Sequence, residues 1–403
     1  MNRRYAVLAR IRAAARMPLL ASFIALTVLP AQPLPGVEFW PDTTWNEASP
    51  AEVGMDGAGL KSARDYARSA GGSGYITRHG RLVMAWGDVR QRYDLKSTTK
   101  SFGSIAFGLA VKDGQLRMED RAQPVHPTLG TPPDTNTNTG WLAEITLLHL
   151  ATHTAGFEKP GGFTRQSFRP GTMWDYSDSG PNWLAECLTL AYRRDLDDLL
   201  FERVFTPIGI RRDDLVWRKN QYRPALIEGI GRREFGAGIS ANVDAMARTG
   251  LLMLRGGRWR EEQLLPREFV EKVRRPVPAF ADLPVHPNSL NEAGPAAPKH
   301  YGLLWWNNAD GALANVPRDA FWSWGLYDSV IFVVPSLDLV VARAGKSWPR
   351  KPGGAHYDPL RPFFEPIIAA MNTPDNLTPK PVIKEARWSP EETLRRGTTG
   401  SDN

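Results

Sequence analysis

The chain is poor in the groups that most often announce a chemistry. It carries one cysteine, Cys187, in 403 residues. That excludes an intrachain disulfide and any cysteine-built zinc or iron–sulfur centre, and a lone thiol of this kind reads as a buried structural residue. The Gly-x-Ser-x-Gly elbow of α/β-hydrolases is missing. So are Gly-x-Gly-x-x-Gly and the P-loop pattern, so no nucleotide cradle is indicated. Positive charge is scarcer than the formal net of +7 suggests. Five of those charges are Arg3, Arg4, Arg10, Arg12 and Arg16, in an N-terminal stretch of 31 residues without an acid, which leaves +2 for the rest. A nucleic-acid partner is not expected from that balance.

The same N-terminal stretch is a basic segment followed by an apolar run, 19–29, and then Pro30-Ala31-Gln32-Pro33. The run is about half of the ~20 residues needed to span a bilayer. Residues 1–31 therefore read as an export signal, or as an N-terminal anchor if uncleaved, and place the protein outside the cytoplasm, in a bacterial periplasm. Contact with a membrane is expected only through that segment.

Hydropathy periods divide the remainder. Asp56 caps a helix whose stripe is Leu60, Ala63, Tyr66 and Ala67, closed by Gly71-Gly72. A hairpin follows, 75–77 and 82–86 around Arg78-His79-Gly80, and a second lies at 330–334 and 339–342 around Pro335-Ser336. Trp305-Trp306 and Phe321-Trp322 add strand-like pieces. Between these β-rich ends the patterns are helical, as in Phe102, Ile105, Ala106 and Leu109. A sheet lobe of 45–100 plus 296–371, with an inserted helical lobe of 101–295, is the organisation expected, followed by a loose polar tail from 372 to 403.

Two short segments could carry chemistry. Ser97-Thr98-Thr99-Lys100 falls where the Phe102–Leu109 helix should begin. Positions i and i+3 share a helix face, so the Lys100 amine can reach the Ser97 hydroxyl. A helix N-terminus stabilises an alkoxide and favours a neutral amine. Serine needs a base to attack near neutral pH, and a desolvated lysine can be one. The pair alone is weak evidence, since roughly 0.6 Ser-x-x-Lys matches are expected by chance. The second segment runs from Pro170-Gly171 to Gly180 and presents Tyr176 on a rigid loop, where its oxygen could relay protons. His149 and His153 have the i, i+4 spacing of a metal pair, but lack the glutamate of a zincin and a third ligand. Structural roles are expected for both.

Ser97-x-x-Lys100 and Tyr176-x-Asp178 together resemble the first two motifs of the serine β-lactamase and penicillin-binding protein family, in its class C-like branch. That branch also holds esterases, D-stereospecific peptidases and 6-aminohexanoate-dimer hydrolases. Residues 145–156 are similar to the family's threonine- and leucine-rich segment, and 236–248 to another of its stretches. The resemblance covers 45–371. It implies an α/β (α+β) fold, a mixed antiparallel sheet flanked by helices with an all-helical lobe inserted and the site in the cleft between them.

It further implies Ser97 as nucleophile, Lys100 as base and Tyr176 as proton relay, with no cofactor and no metal. The family usually has Asn where Asp178 stands. Asp178 then either pairs with Lys100 and raises its pKa or binds an amine on the substrate. A shifted register, Ser177-Asp178-Ser179 as a degenerate Ser-Asp-Asn, fits less well with the preceding Pro-Gly-Thr. The third motif falls on Ser323-Trp324-Gly325, which keeps the glycine and lacks the cation. Leu326 would then supply the second oxyanion N–H beside that of Ser97, with Asp178, Ser323, Trp324 and Gly325 meeting the substrate. Trp174, Trp305, Trp306 and Trp324 are candidates to wall an apolar pocket. The expected activity is acyl transfer from a small ester or amide to water. Its rivals are a β-lactamase or D-Ala-D-Ala peptidase, and an inactive envelope-binding protein of the same fold.

Overall fold

The computed structural model describes residues 38–371; the N-terminal basic and apolar stretch and the polar tail lie outside the described residues. Six antiparallel strands form the main sheet, in the spatial order Trp306–Asn307, Phe321–Trp324, Val330–Val334, Leu339–Ala344, Ser73–Arg78, Arg81–Trp86. The first strand of the chain pairs with the last, Gly74 opposite Arg343 and Arg78 opposite Leu339, so both chain ends build one sheet. Alternation along Val330–Val334 sends Ile331 and Val333 to one core and Val330, Phe332 and Val334 to the other.

On the second of these faces lie the helices Gly57–Ser69 and Arg361–Ala369. Asp56 caps the first, its carboxylate accepting from the Gly59 N–H at 2.9 Å, and Leu60, Ala63 and Ala67 are buried as the stripe requires. The opposite face takes the helix Val243–Leu254, which crosses strands from both ends of the chain. Gly250 allows that approach, because a Cβ there would stand 2.4 Å from Val340 Cγ1. This helix falls within the stretch read as the inserted lobe, yet it covers the sheet.

Beyond it lie the helices Thr98–Lys112 and Ser179–Tyr192. Thr98 to Ala110 are all buried, so the helix carrying Ser97 at its N-cap runs through the interior. Two strands of the helical stretch, Ile239–Ala241 and Leu215–Trp217, join Tyr93–Asp94 from the stretch before it in a three-stranded ribbon. Strands of two or three residues are too short to leave a period in the sequence. Among the described residues no helix is long and apolar enough to cross a membrane.

Candidate active site

Ser97 is the residue before the first turn of the interior helix, and Lys100 lies one turn on. The Lys100 ammonium donates at 3.0 Å to Ser97 Oγ, at 3.0 Å to the Gly236 carbonyl, and to Asp178 Oδ1. Three donors thus meet three acceptors around a side chain that is 1% exposed. Gly236 is held for this by Asn182, whose Oδ1 accepts from the Phe235 and Gly236 N–H groups at 2.9 and 2.8 Å.

Sequence reasoning expects a neutral Lys100; the structure reverses that. Burial alone pushes the amine down, but the Asp178 carboxylate, with the Tyr176 hydroxyl assisting, more than offsets it and holds Lys100 above the ordinary lysine value. The magnitudes explain the outcome. A helix terminus contributes ~0.3–1 kcal/mol, whereas an opposite charge in near contact contributes about 4 kcal/mol at an effective dielectric of about 20. At rest Ser97 Oγ therefore faces a charged donor.

Tyr176 stands beside this pair, its ring centroid 4.9 Å from Lys100 Nζ and 4.5 Å from the His153 ring, and it stacks on Trp306 at 5.9 Å. The loop is pinned residue by residue. The Tyr176 N–H donates to Ser289 Oγ at 2.8 Å, and the Ser289 hydroxyl in turn donates to Asp175 at 2.5 Å. The Ser177 N–H donates to His153 Nδ1 at 3.2 Å. Accepting there requires an unprotonated Nδ1, in keeping with burial, which pushes His153 well below the usual histidine range. His149 closes a capping box with Thr146, accepting from its N–H at 3.1 Å, and burial pushes it down to about 3. Both histidines are structural, as expected, and His153 also fixes the tyrosine loop. Among the described residues no group of three His, Cys, Asp or Glu side chains is arranged to hold a metal. Cys187 is fully buried and its thiol is pushed up by that burial.

The third-motif segment divides. Ser323 is fully buried; its hydroxyl oxygen accepts from the Ile331 N–H at 2.9 Å and lies 3.2 Å from Thr98 Oγ1. It ties the strand to the Ser97 helix and has no exposed surface, which corrects the expectation that it meets substrate. Gly325 has no room for a side chain: a Cβ would stand 2.1 Å from the Leu95 carbonyl oxygen, just before Ser97. The carbonyls of the following turn are all engaged by the protein itself. Gly325 O accepts from the Asp328 N–H at 2.8 Å, and Leu326 O accepts from Ser347 Oγ at 2.8 Å. Arg343 donates to Tyr327 O and Asp328 O at 2.8 and 2.9 Å, and Thr98 Oγ1 donates to Ser329 O at 2.8 Å. Among the described residues the Ser97 and Leu326 N–H groups have no hydrogen-bond partner. Each is available to an incoming oxyanion.

Sequence reasoning misses what braces this turn. The Asp328 carboxylate, fully buried, accepts from Trp324 Nε1 at 2.8 Å, the Trp348 N–H at 2.7 Å, and Arg350 at 2.7 and 3.0 Å. Arg343 is buried beneath, pushed down to about 10 by desolvation and still a cation near neutral pH. Arg343, Trp348 and Arg350 lie 15–22 residues downstream of Asp328, and no spacing rule connects them to the motif. Of the four tryptophans, Trp174, Trp306 and Trp324 gather around Tyr176 and Tyr301. Trp305 does not: it is fully buried in the other core against Phe321, its Nε1 donating to Ser104 at 2.8 Å.

Comparison with known proteins agrees with the fold. Among solved structures, simvastatin synthase from Aspergillus terreus aligns with a TM-score of 0.58 at 16% identity, over 77% of this chain and 98% of that one. A family VIII carboxylesterase gives 0.57 at 15% identity, over 79% and 99%. A β-lactamase from Mycobacterium bovis gives 0.54 at 19% identity, over 72% and 92%. At such identities the likeness establishes the fold. The family model described as Beta-lactamase matches residues 59–360, most of the chain. The chain belongs to the β-lactamase family of serine-hydrolase-type proteins.

Proposed function

We propose that this protein is a serine hydrolase that cleaves an ester or amide through an acyl-enzyme on Ser97, without a cofactor. The observation that carries the reading is the contact set of Ser97, Lys100 and Asp178 beside Tyr176. Ser97 Oγ attacks the acyl carbon and passes its proton to Lys100 in the fraction of molecules whose lysine is neutral. The Ser97 and Leu326 N–H groups receive the oxyanion. Lys100 and Tyr176 return the proton to the leaving group, and water then repeats the sequence on the acyl-enzyme.

An ester is favoured over a β-lactam by the third motif. Ser323 is sealed inside, Arg343 and Arg350 are committed to the turn, and Lys96 over the Tyr327 ring is paired with Asp94, so among the described residues this turn offers no unpaired cation to a substrate carboxylate. The names of the carboxylesterase and of simvastatin synthase support ester chemistry in this fold. The test is labelling with a fluorophosphonate probe. The adduct is expected on the peptide containing Ser97, and Ser97→Ala should lose about 10³-fold or more in turnover. An unlabelled wild type would favour an inactive binding protein. Export belongs to the same proposal, resting on the basic and apolar stretch of residues 3–29. Recovery of the protein from a periplasmic fraction, with its N-terminus sequenced, tests it.

A further inference from the structure

The Asp178 carboxylate occupies a position that the serine mechanism does not require to be charged. Its Oδ1 is taken by Lys100. Its Oδ2 makes no hydrogen bond among the described residues, and the side chain remains 28% exposed beside an otherwise buried lysine. The nearby cations have carboxylate partners of their own, although Lys159 also stands 5.8 Å from the centre of the Tyr176 ring. Lys159 pairs with Glu292 at 2.5 Å, Lys96 with Asp94 at 2.7 Å, and Arg218 with Glu234. Aromatic surface flanks the position. Tyr176 lies on one side of Lys100, while the exposed Tyr222 packs over Gly161 next to Asn182, the residue that also borders Gly236 and Asp178.

A carboxylate has acceptor sites on both oxygens and can serve two cations. This chain uses that elsewhere: Glu186 takes Arg223 on one oxygen and Arg232 on the other, and Asp65 takes Arg64 and Lys61. Asp178 has only one of its two. From this geometry we infer that Asp178 Oδ2 is a specificity site for a cationic group, and that the preferred substrates are esters or amides carrying an ammonium near the scissile carbonyl. Asp178 is one contact from Lys100, which is one contact from Ser97 Oγ. An ammonium on Oδ2 therefore belongs to the part of the substrate close to the reacting carbon. Carboxylate and aromatic faces together recognise an ammonium by charge and by ring quadrupole.

The inference rests on the serine hydrolase reading and is tested separately from it. The β-alanine and butanoic acid p-nitrophenyl esters differ in one group, an ammonium in place of a methyl. Each kcat/KM is divided by that ester's spontaneous hydrolysis rate, which removes the inductive effect of the charge. The wild type is expected to favour the β-alanine ester by about tenfold or more, and Asp178→Asn to abolish that preference. Equal corrected values in the wild type, or a preference that survives in Asp178→Asn, would overturn it. Turnover of neither ester, with no probe label on Ser97, would instead overturn the serine hydrolase reading. The wild-type ratio needs no variant to fold.

Discussion

The Ser97 helix and the Leu326 turn lie against each other, yet they are built in opposite ways. Ser97 and Lys100 meet because they are three residues apart on one helix, so their contact follows from helix geometry alone. The Leu326 turn is shaped by Leu95, Thr98, Arg343, Ser347, Trp348 and Arg350, contributed by other segments. The first region depends on one element being helical. The second depends on a buried carboxylate, Asp328, that gathers four donors at once.

The comparison breaks most sharply at Asp328. Asp328→Ala removes all four acceptor contacts, leaving the turn free to rotate the Leu326 N–H. Loss or misplacement of one oxyanion donor costs about 10²–10³ in kcat. A fall of that order, with KM little changed and Ser97 still labelled, is the expected outcome. Arg350→Ala removes only the outer partner, whose side chain is 47% exposed, and should cost much less. If both variants behave alike, the turn is not held by the buried end of the carboxylate.

The second test sharpens the contrast through substrates. A charge-assisted hydrogen bond contributes about 1.5–3 kcal/mol, so a site without a free cation should lose roughly 10- to 150-fold on carboxylate-bearing substrates. The kcat/KM for an uncharged short-chain aryl ester is expected to exceed that for a penicillin by that margin. Efficient penicillin hydrolysis would mean that Arg343 or Arg350 leaves the turn when substrate binds.

The third concerns pH. Lys100 must lose a proton to act, and its pKa in the folded chain lies above the ordinary value because Asp178 outweighs burial. Activity on a neutral ester should therefore keep rising through pH 8 and 9 as the neutral amine accumulates. Asp178→Asn removes the charge that raises the lysine and leaves burial, which lowers it. The rising limb should then move down by about a unit or more, as the pH profile of kcat/KM would report. A limb that stays in place would mean that Asp178 does not set the lysine's charge. Glu234, which burial pushes up to about 7 with the Asp178 charge contributing, is the nearby acid whose own titration must be separated by Glu234→Gln.

What the sequence discloses divides along the same line. The sheet built from both chain ends is visible because strands such as 330–334 and 339–344 are long enough to show a period and a turn. The ribbon at Ile239–Ala241 is not, having only three residues. Ser97, Lys100 and Asp178 come from local spacing and a motif register, and they meet in space. The charge on Lys100 does not follow from the helix. It depends on a residue 78 positions away, and of the two fates open to Asp178 the structure shows the pairing. Ser323 illustrates the converse. Its place in the motif implies a substrate contact, but strand alternation turns its hydroxyl toward Thr98 and Ile331.

That last point yields the smallest effect. If Ser323 is a tie between strand and helix, Ser323→Ala removes the buried hydroxyl that meets the Ile331 N–H, a cost of about 0.5–1.5 kcal/mol in stability. Thr98 keeps its bond to Ser329 O, so the Ser97 helix stays seated. A lowered melting temperature is expected, with kcat/KM within a few-fold of wild type for neutral and carboxylate-bearing esters alike. Ser323→Lys should likewise fail to create a penicillin site, since a lysine at that position begins inside the protein and not in the cleft. A selective loss on carboxylate-bearing esters in Ser323→Ala, with the melting temperature unmoved, would return the serine to the substrate and show that the strand opens during turnover.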